Sequence, residues 1–387
     1  MPARANPFQY GRILREDELV DRQDELALLV KRLERGGRHF LIGPRRFGKS
    51  SLLNVAVAAA TRGGTPSLLV NAESFTSPAA VAGGLVSAAS ALVAPTVRER
   101  ILGIAEWFGA LKPQVEYEAL TDTIKVGIAP RDTELQARSI AEALDAIDGL
   151  AAARGSRIGV VVDEFQALHQ MEGVAGERVL RAAVQTHEHL SYVFAGSHTR
   201  MLLAMITEHN RPFYRLGDSQ YLGPVPRPEF AAFIREAFER RGQRIAGETC
   251  ERICELSEDV PYNVQLLAAE LWDATEDVAG EVTPPLIDGA LSKLLARSHA
   301  NYLALYLTLT TTQRKVIAGM ARPGMLNGAP ARMSRALGVA ASTYRSARAS
   351  FLNADLLHER FDADQTARRY AFVDPFFKRW LRGFVVR

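Results

Sequence analysis

The apolar positions of this chain fall into short, β-branched runs separated by longer stretches of helical spacing, the pattern of strands alternating with helices. His39-Phe-Leu-Ile42, Ser67-Leu-Leu-Val-Asn71, Ile158-Gly-Val-Val-Val162, Ser191-Tyr-Val-Phe-Ala195 and residues 219–222 read as strands. Helices are predicted over 22–35, 49–61, 78–93, 97–110 and 137–154. Strands that are apolar throughout, each followed by a helix, imply a parallel sheet covered on both faces. The alternation is interrupted once. Val115-Glu-Tyr-Glu-Ala119 and Thr123-Ile-Lys-Val-Gly-Ile128 switch between apolar and polar on either side of a polar turn, which predicts an inserted hairpin within about 111–131. It reads equally as a contact surface and as cover for a sheet edge.

The period changes after residue 223. Pro224, Pro226 and Pro228 mark a boundary, and apolar residues then recur at i, i+3 and i+4 over 228–241, 248–257 and 262–275, predicting a helical lid. From about residue 308 a third pattern begins. Helices are expected at 310–321, 330–337 and 341–353, with Gly338 as a turn, followed by Leu356-Leu-His-Glu-Arg360 and Arg369-Tyr-Ala-Phe372 around the turn Asp362-Ala-Asp-Gln365. Three helices and a hairpin in that order predict a winged helix-turn-helix. The expected division is therefore a core over 1–225, a lid over 226–307 and the winged helix over 308–387.

One loop carries the chemistry. Gly43-Pro44-Arg45-Arg46-Phe47-Gly48-Lys49-Ser50-Ser51 lies between the strand 39–42 and an alanine-rich helix. Glycines at that spacing let several backbone N–H groups converge on phosphate oxygens at a helix N-terminus, while Lys49 adds a point charge and the Ser50 hydroxyl supplies a ligand for Mg²⁺. The loop thus points to a nucleoside triphosphate. The strand 158–162 ends in Asp163-Glu164, the form of a Walker B strand in which Asp163 holds Mg²⁺ and Glu164 accepts a proton from the attacking water. The strand 191–195 runs into Gly196-Ser197. Its hydroxyl is placed at the carboxyl edge of the sheet, where Ser197 reads either as a sensor of the γ-phosphate or as the cap of the following helix.

Composition narrows the picture little except through charge. The chain of 387 residues is 47% hydrophobic, enough for two or three cores. Its net charge of +3 hides an asymmetry. Residues 309–387 hold 14 Lys and Arg against 5 Asp and Glu, whereas the rest holds 33 against 39. A basic C-terminal module suits either nucleic acid or an acidic protein. On the expected turn motif Ser342, Tyr344, Arg345 and Arg348 fall on the second helix, where bases or phosphates are reached, and Arg368 and Arg369 fall on the wing. Cys250 and Cys254 stand four apart on an expected helix with no partner pair to complete a metal site, so they read as buried thiols of a reducing cytoplasm. The N-terminus lacks an apolar signal segment, and the uncharged stretch 74–97 is rich in Ala, Ser and Gly with two prolines. Val81, Leu85, Ala88 and Leu92 give it one apolar face, so a helix on the sheet is expected there and no membrane span.

Taken with Phe194-Ala-Gly-Ser197, Arg211-Pro-Phe-Tyr-Arg215, Pro261-Tyr-Asn-Val-Gln265 and Tyr370-Ala-Phe-Val-Asp-Pro-Phe-Phe-Lys-Arg-Trp380, the two phosphate motifs give a chain that resembles the prokaryotic AAA-related, archaeal-type or STAND-like P-loop ATPases, relatives of replication initiators. The resemblance implies an α/β fold of the ASCE type, with the parallel sheet carrying a helical lid and a C-terminal winged helix. It implies ATP and Mg²⁺ as cofactors and slow or switch-like ATP hydrolysis. Arg215, with Arg211, looks like the position from which an arginine is offered to a γ-phosphate in cis or in a neighbouring copy, although both also suit local ion pairs. Related lids place a cation near the γ-phosphate, yet Asp259-Val-Pro-Tyr-Asn-Val-Gln265 contains none. Double-stranded DNA, a protein effector and a homo-oligomer all remain open as partners.

Overall fold

Four runs rich in Val, Leu, Ile and Phe, with the more polar and less buried Asp218–Tyr221 as a fifth strand at one edge, form one parallel sheet in a computed structural model that describes residues 5–93, 96–118, 123–128, 137–276, 280–361 and 368–386. The chain divides into two compact units, Arg15–Gly43 with Lys49–Leu222, and Met1–Leu14 with Pro44–Gly48 and Gly223–Arg387.

The first unit holds the sheet. Its strands are β1 (Gly37–Ile42), β2 (Ser67–Asn71), β5 (Ile158–Asp163), β6 (Leu190–Gly196) and β7 (Asp218–Tyr221), in the spatial order β2-β5-β6-β1-β7. All neighbours are parallel, and β6 lies between β1 and β5. Ile42 stands in register with Gly196, and Asn71 with Asp163, so the strands release their loops at one carboxyl edge. That edge is where ligands bind in open α/β sheets.

Helices α1 (Gln23–Arg35), α2 (Lys49–Arg62), α3 (Pro78–Val93), α4 (Val97–Phe108), α5 (Ala137–Ala153), α6 (Gln166–Thr186) and α7 (Thr199–Thr207) complete this unit. Leu29 and Leu33 of α1 pack with Leu52, Leu53 and Ala56 of α2 over Leu41, Val161 and Val193, one face of the sheet. The opposite face packs Phe40, Val160, Val162 and Phe194 against Leu85 of α3 and Ile140, Leu144 and Ile147 of α5. Beneath the carboxyl edge, Phe165 stacks within 4.5 Å of Phe194 and 5.2 Å of Phe213, ring centroid to centroid. Each such pair adds about 1 kcal/mol beyond burial and stiffens the platform under the loops. The inserted hairpin forms as β3 (Pro113–Glu118) and β4 (Thr123–Ile128), antiparallel, with Ile124 and Ile128 in the core shared with α3; its turn lies outside the described residues.

The second unit is largely helical. Helices α8 (Arg227–Arg241), α9 (Gly247–Leu256) and α10 (Pro261–Ala274) lie where a lid was expected, and α11 (Pro284–Arg297) and α12 (His299–Thr308) follow them. The expectation of no further strand needs a small correction, since β8 (Arg244–Ile245) and β9 (Glu281–Val282) pair in parallel over two residues. Phe8 is buried against Phe233, Phe238 and Trp272, so the N-terminal segment belongs to these helices. Then come α13 (Thr311–Ala321), α14 (Pro330–Leu337), α15 (Ala341–Asn353), the antiparallel hairpin β10 (Leu357–Phe361) with β11 (Arg368–Phe372), and α16 (Pro375–Trp380). Gly338 ends α14 in the left-handed conformation with φ 57°. Val316, Met333, Tyr344, Phe351, Phe372, Phe377 and Trp380 share one apolar core here. The turn expected at Asp362–Gln365 lies outside the described residues.

Among the described residues no helix is long and apolar enough to cross a membrane. Cys250 and Cys254 are buried on α9, and burial pushes both thiols up to about 12. They are protonated at neutral pH and poor nucleophiles.

Candidate nucleotide site

β1 delivers Gly43 to the carboxyl edge, where the chain turns sharply beside β7. A Cβ on Gly43 would lie 2.7 Å from the Leu222 carbonyl oxygen, which is backbone and has little freedom to retreat. Gly43→Ala is expected to destabilise the protein by about 1–3 kcal/mol, as overpacking does, and to lower its thermal midpoint in a calorimetric scan; an unchanged midpoint would show that this turn is not tight. The second glycine has a different reason. Gly48 sits at φ +88°, a conformation costly to any residue with a Cβ.

At the start of α2, the buried Lys49 donates from Nζ to the Gly43 carbonyl at 2.7 Å, across the mouth of the loop. Ser50 Oγ donates to Asp163 Oδ2 at 2.7 Å. A hydroxyl and a carboxylate side by side form the hard oxygen pair that Mg²⁺ uses when phosphates and water complete its shell. The donor set therefore fits that ion. Burial raises the Asp163 carboxyl above its ordinary pKa, while the hydrogen bond from Ser50, the Lys49 ammonium and the Glu164 amide partly offset it.

Glu164 is held in the left-handed region, at φ 49°, a strained conformation for a side chain of this size. Its carboxylate is fixed by three donors on Oε2: Gln166 Nε2 at 2.6 Å, Ser197 N at 2.9 Å and Ser197 Oγ at 2.8 Å. Burial alone would raise its pKa, but Lys49 together with these hydrogen bonds outweighs burial and holds it below the ordinary value. An ionised, oriented carboxylate results. The Ser197 side chain is thereby accounted for. It does not cap α7, whose N-cap is His198, and its hydroxyl orients Glu164.

The two candidate arginines part ways. Arg211 forms an ion pair with Glu177, a buried carboxylate, and lies 3.4 Å from His169 Nδ1. Arg215 is exposed, at φ 51°, with its guanidinium 5.1 Å above the Tyr214 ring.

The middle of the phosphate loop, Pro44–Gly48, groups with the C-terminal unit. Arg45 Nε lies 2.9 Å from Asp355, and Arg46 Nη1 lies 2.8 Å from Asp374. The Arg46 carbonyl accepts a hydrogen bond from Tyr262 N, and its guanidinium lies 5.0 Å from the centre of the Tyr262 ring. Phe47 is buried beside His358, with ring centroids 5.8 Å apart. Asp374 is itself well fixed: it accepts from Phe376 N and Phe377 N as the N-cap of α16, from Asn263 Nδ2 and from Tyr302 Oη. Both loop side chains are thus committed to carboxylates.

Several of these roles were not legible as sequence. Asp355, Asp374 and Tyr262 act on loop residues more than two hundred positions earlier in the chain, Gln166 acts on Glu164 two residues before it, and only the occurrence of Tyr262 and Asp374 inside quoted motifs signalled any of them.

The expected nucleic-acid face needs one correction. Tyr344 is fully buried in the C-terminal core, facing inward between α13 and the hairpin, and cannot reach a base. Ser342, Arg345 and Arg369 are exposed, and Arg348 lies 4.4 Å over the Tyr370 ring. Arg368 begins β11, but its side chain lies outside the described residues.

No protein-family profile matches the chain, and no curated protein matches it in sequence. Solved structures do match. A Walker-type ATPase of Pyrococcus abyssi superposes with a TM-score of 0.64 at 17% identity, covering 97% of this chain and 99% of that one. The ORC2 protein of Aeropyrum pernix, solved with ADPNP and ADP, gives a TM-score of 0.52 at 13% identity over 99% and 98% of the two chains. The fold is that of the P-loop ATPases. In its ADP form the same ORC2 protein gives 0.50 at 14% identity over 97% of each chain. The likeness covers 97% or more of each of these chains.

Proposed function

We propose that the protein is a Mg²⁺-dependent ATPase switch, in which nucleotide bound at the phosphate loop is read by a C-terminal winged helix made of α13, α14, α15 and the β10–β11 hairpin. The loop amides and Lys49 bind the β- and γ-phosphates. Ser50 and Asp163 would hold Mg²⁺, which would supply positive charge to the phosphate oxygens. Glu164 takes a proton from water as the water oxygen attacks the γ-phosphorus and the bond to the β-phosphate oxygen breaks, giving ADP and phosphate. Arg215 is the arginine available for a γ-phosphate, whereas Arg211 is engaged by Glu177.

The observation that carries the switch reading is the pairing of Arg45 with Asp355 and Arg46 with Asp374. Arg46 sits at φ 72°, so the loop is preset in a conformation that a free loop would rarely adopt. Holding it there removes an entropic cost from phosphate binding, and by linkage bound phosphate must stabilise the grip in return.

Asp374→Asn keeps the cap on α16 but removes the charge opposite Arg46. ATP affinity is expected to fall a few-fold, the equivalent of about 0.5–1 kcal/mol for a partly exposed pair. ATP should also no longer slow amide exchange in residues 368–380 to the wild-type degree. Unchanged affinity and unchanged protection would remove the coupling while leaving ATP hydrolysis to be judged separately.

A further inference from the structure

Five of the 14 cationic residues in the C-terminal segment converge on one cavity of about 430 Å³. Arg322 comes from the turn after α13, Arg360 and Arg369 from the two hairpin strands, Lys378 from α16 and Arg382 from the π-helical segment Leu381–Val385 that follows it. One carboxylate, Glu258, opposes them in the wall.

How these cations are held matters more than their number. Lys378 Nζ meets Glu258 Oε1 at 2.7 Å and is neutralised. Arg360 Nη2 instead donates to the Glu258 backbone carbonyl at 2.9 Å, and Arg382 Nε donates to the Ala321 carbonyl. Carbonyls fix the direction of a guanidinium without cancelling its charge. Like charges that face one cavity repel, and an anion seated among them would offset that repulsion. Hairpin and loop are also pinned at the rim, since Asn327 Nδ2 donates to the Tyr370 carbonyl at 3.1 Å and Tyr370 N donates to Asn327 Oδ1 at 2.6 Å. The rim is therefore set before any ligand arrives. Planar guanidiniums suit phosphate oxygens, which they grip with paired N–H bonds. The volume lies within the roughly 300–1,000 Å³ of small-ligand sites.

We propose that this cavity is a second phosphate site, separate from the loop at 43–51, which takes a phosphate group carried either by a compact polyphosphate or by a nucleic-acid strand. It does not depend on ATP hydrolysis.

The test titrates sodium tripolyphosphate, and in a parallel arm a 20-base-pair duplex, into the full chain carrying Lys49→Ala, so that the loop's own ammonium is absent. The same titrations are made after adding Arg322→Gln and Arg369→Gln, both exposed positions, with melting curves to show that the fold is kept. Arg240→Gln, exposed on α8 and outside the cavity wall, is the control. At least one ligand should bind the Lys49→Ala chain, weaken as salt is raised, lose about tenfold or more in affinity with the two added substitutions, and keep its affinity in the control. Loss for tripolyphosphate identifies a small anion, and loss for the duplex alone identifies a strand backbone. Absence of binding in both arms, equal binding with and without the paired substitutions, or an equal loss in the Arg240→Gln control would overturn the assignment.

Discussion

Glu164→Gln is expected to bind ATP about as well as the native protein and to hydrolyse it roughly 10²- to 10⁴-fold more slowly, the range by which a positioned general base accelerates proton transfer. Gln166 and Ser197 would still find an oxygen to donate to, so the substitution removes the charge and the proton acceptor while the surrounding bonds persist. Lys49 stays near and the loop amides are untouched. The measurement is single-turnover phosphate release beside equilibrium binding of a fluorescent ATP analogue. Release at the native rate would show that another group takes the proton. The pH dependence follows with a definite sign. Because the Glu164 carboxyl lies below its ordinary pKa, turnover should persist on the acid side until the pH falls through that lowered value. Its stabilising contribution is likewise present above the unfolded pKa and lost as pH falls through the folded one. Asp163, raised by burial, works in the opposite direction.

Lys49→Ala is expected to reduce ATP affinity by about 100-fold, near 2.7 kcal/mol, the scale of one or two charge-assisted hydrogen bonds. The ammonium has two jobs within reach of each other. It bonds to the Gly43 carbonyl at 2.7 Å, closing the loop's mouth, and it is the chief favourable charge on Glu164. Removing it should therefore weaken phosphate binding and also let the Glu164 carboxyl rise, so that residual turnover shows its acid limb at higher pH than the native enzyme. Calorimetric titration with MgATP reads the first effect, and the pH profile of remaining activity reads the second. Native affinity in this variant would contradict the placement of the triphosphate at this loop.

The sheet was readable in advance for a physical reason. Strands such as 158–163 are buried on both faces, so the run up to its terminal Asp163 carries no polar side chain and cannot be mistaken for an exposed segment. The motif residues at its end followed, because Ser50 and Asp163 are brought together by any parallel sheet that places their two strands near each other. Helix α6 was missed. Its apolar positions are broken by Gly173, at φ 62° and ψ −155°, and by buried Gln166 and Glu177, whose burial makes sense only with Glu164 and Arg211 in place. Tyr344 was misjudged for a related reason. A helix with exposed Arg345 and half-buried Arg348 looks basic on one face, but a spacing of one residue turns the ring by about 100° around the axis and into the core. The carboxylates that meet Arg45 and Arg46 lie some three hundred residues further on, beyond the reach of any local pattern.

Trimming has a consequence that the motif alone would not suggest. A fragment cut before residue 308 would keep every residue of both Walker motifs, yet two adjacent guanidiniums would lose Asp355 and Asp374 and an aromatic ring would lose His358. Such a minimal piece would carry an intact signature in an ill-shaped loop, and its feeble binding would say little about the whole protein.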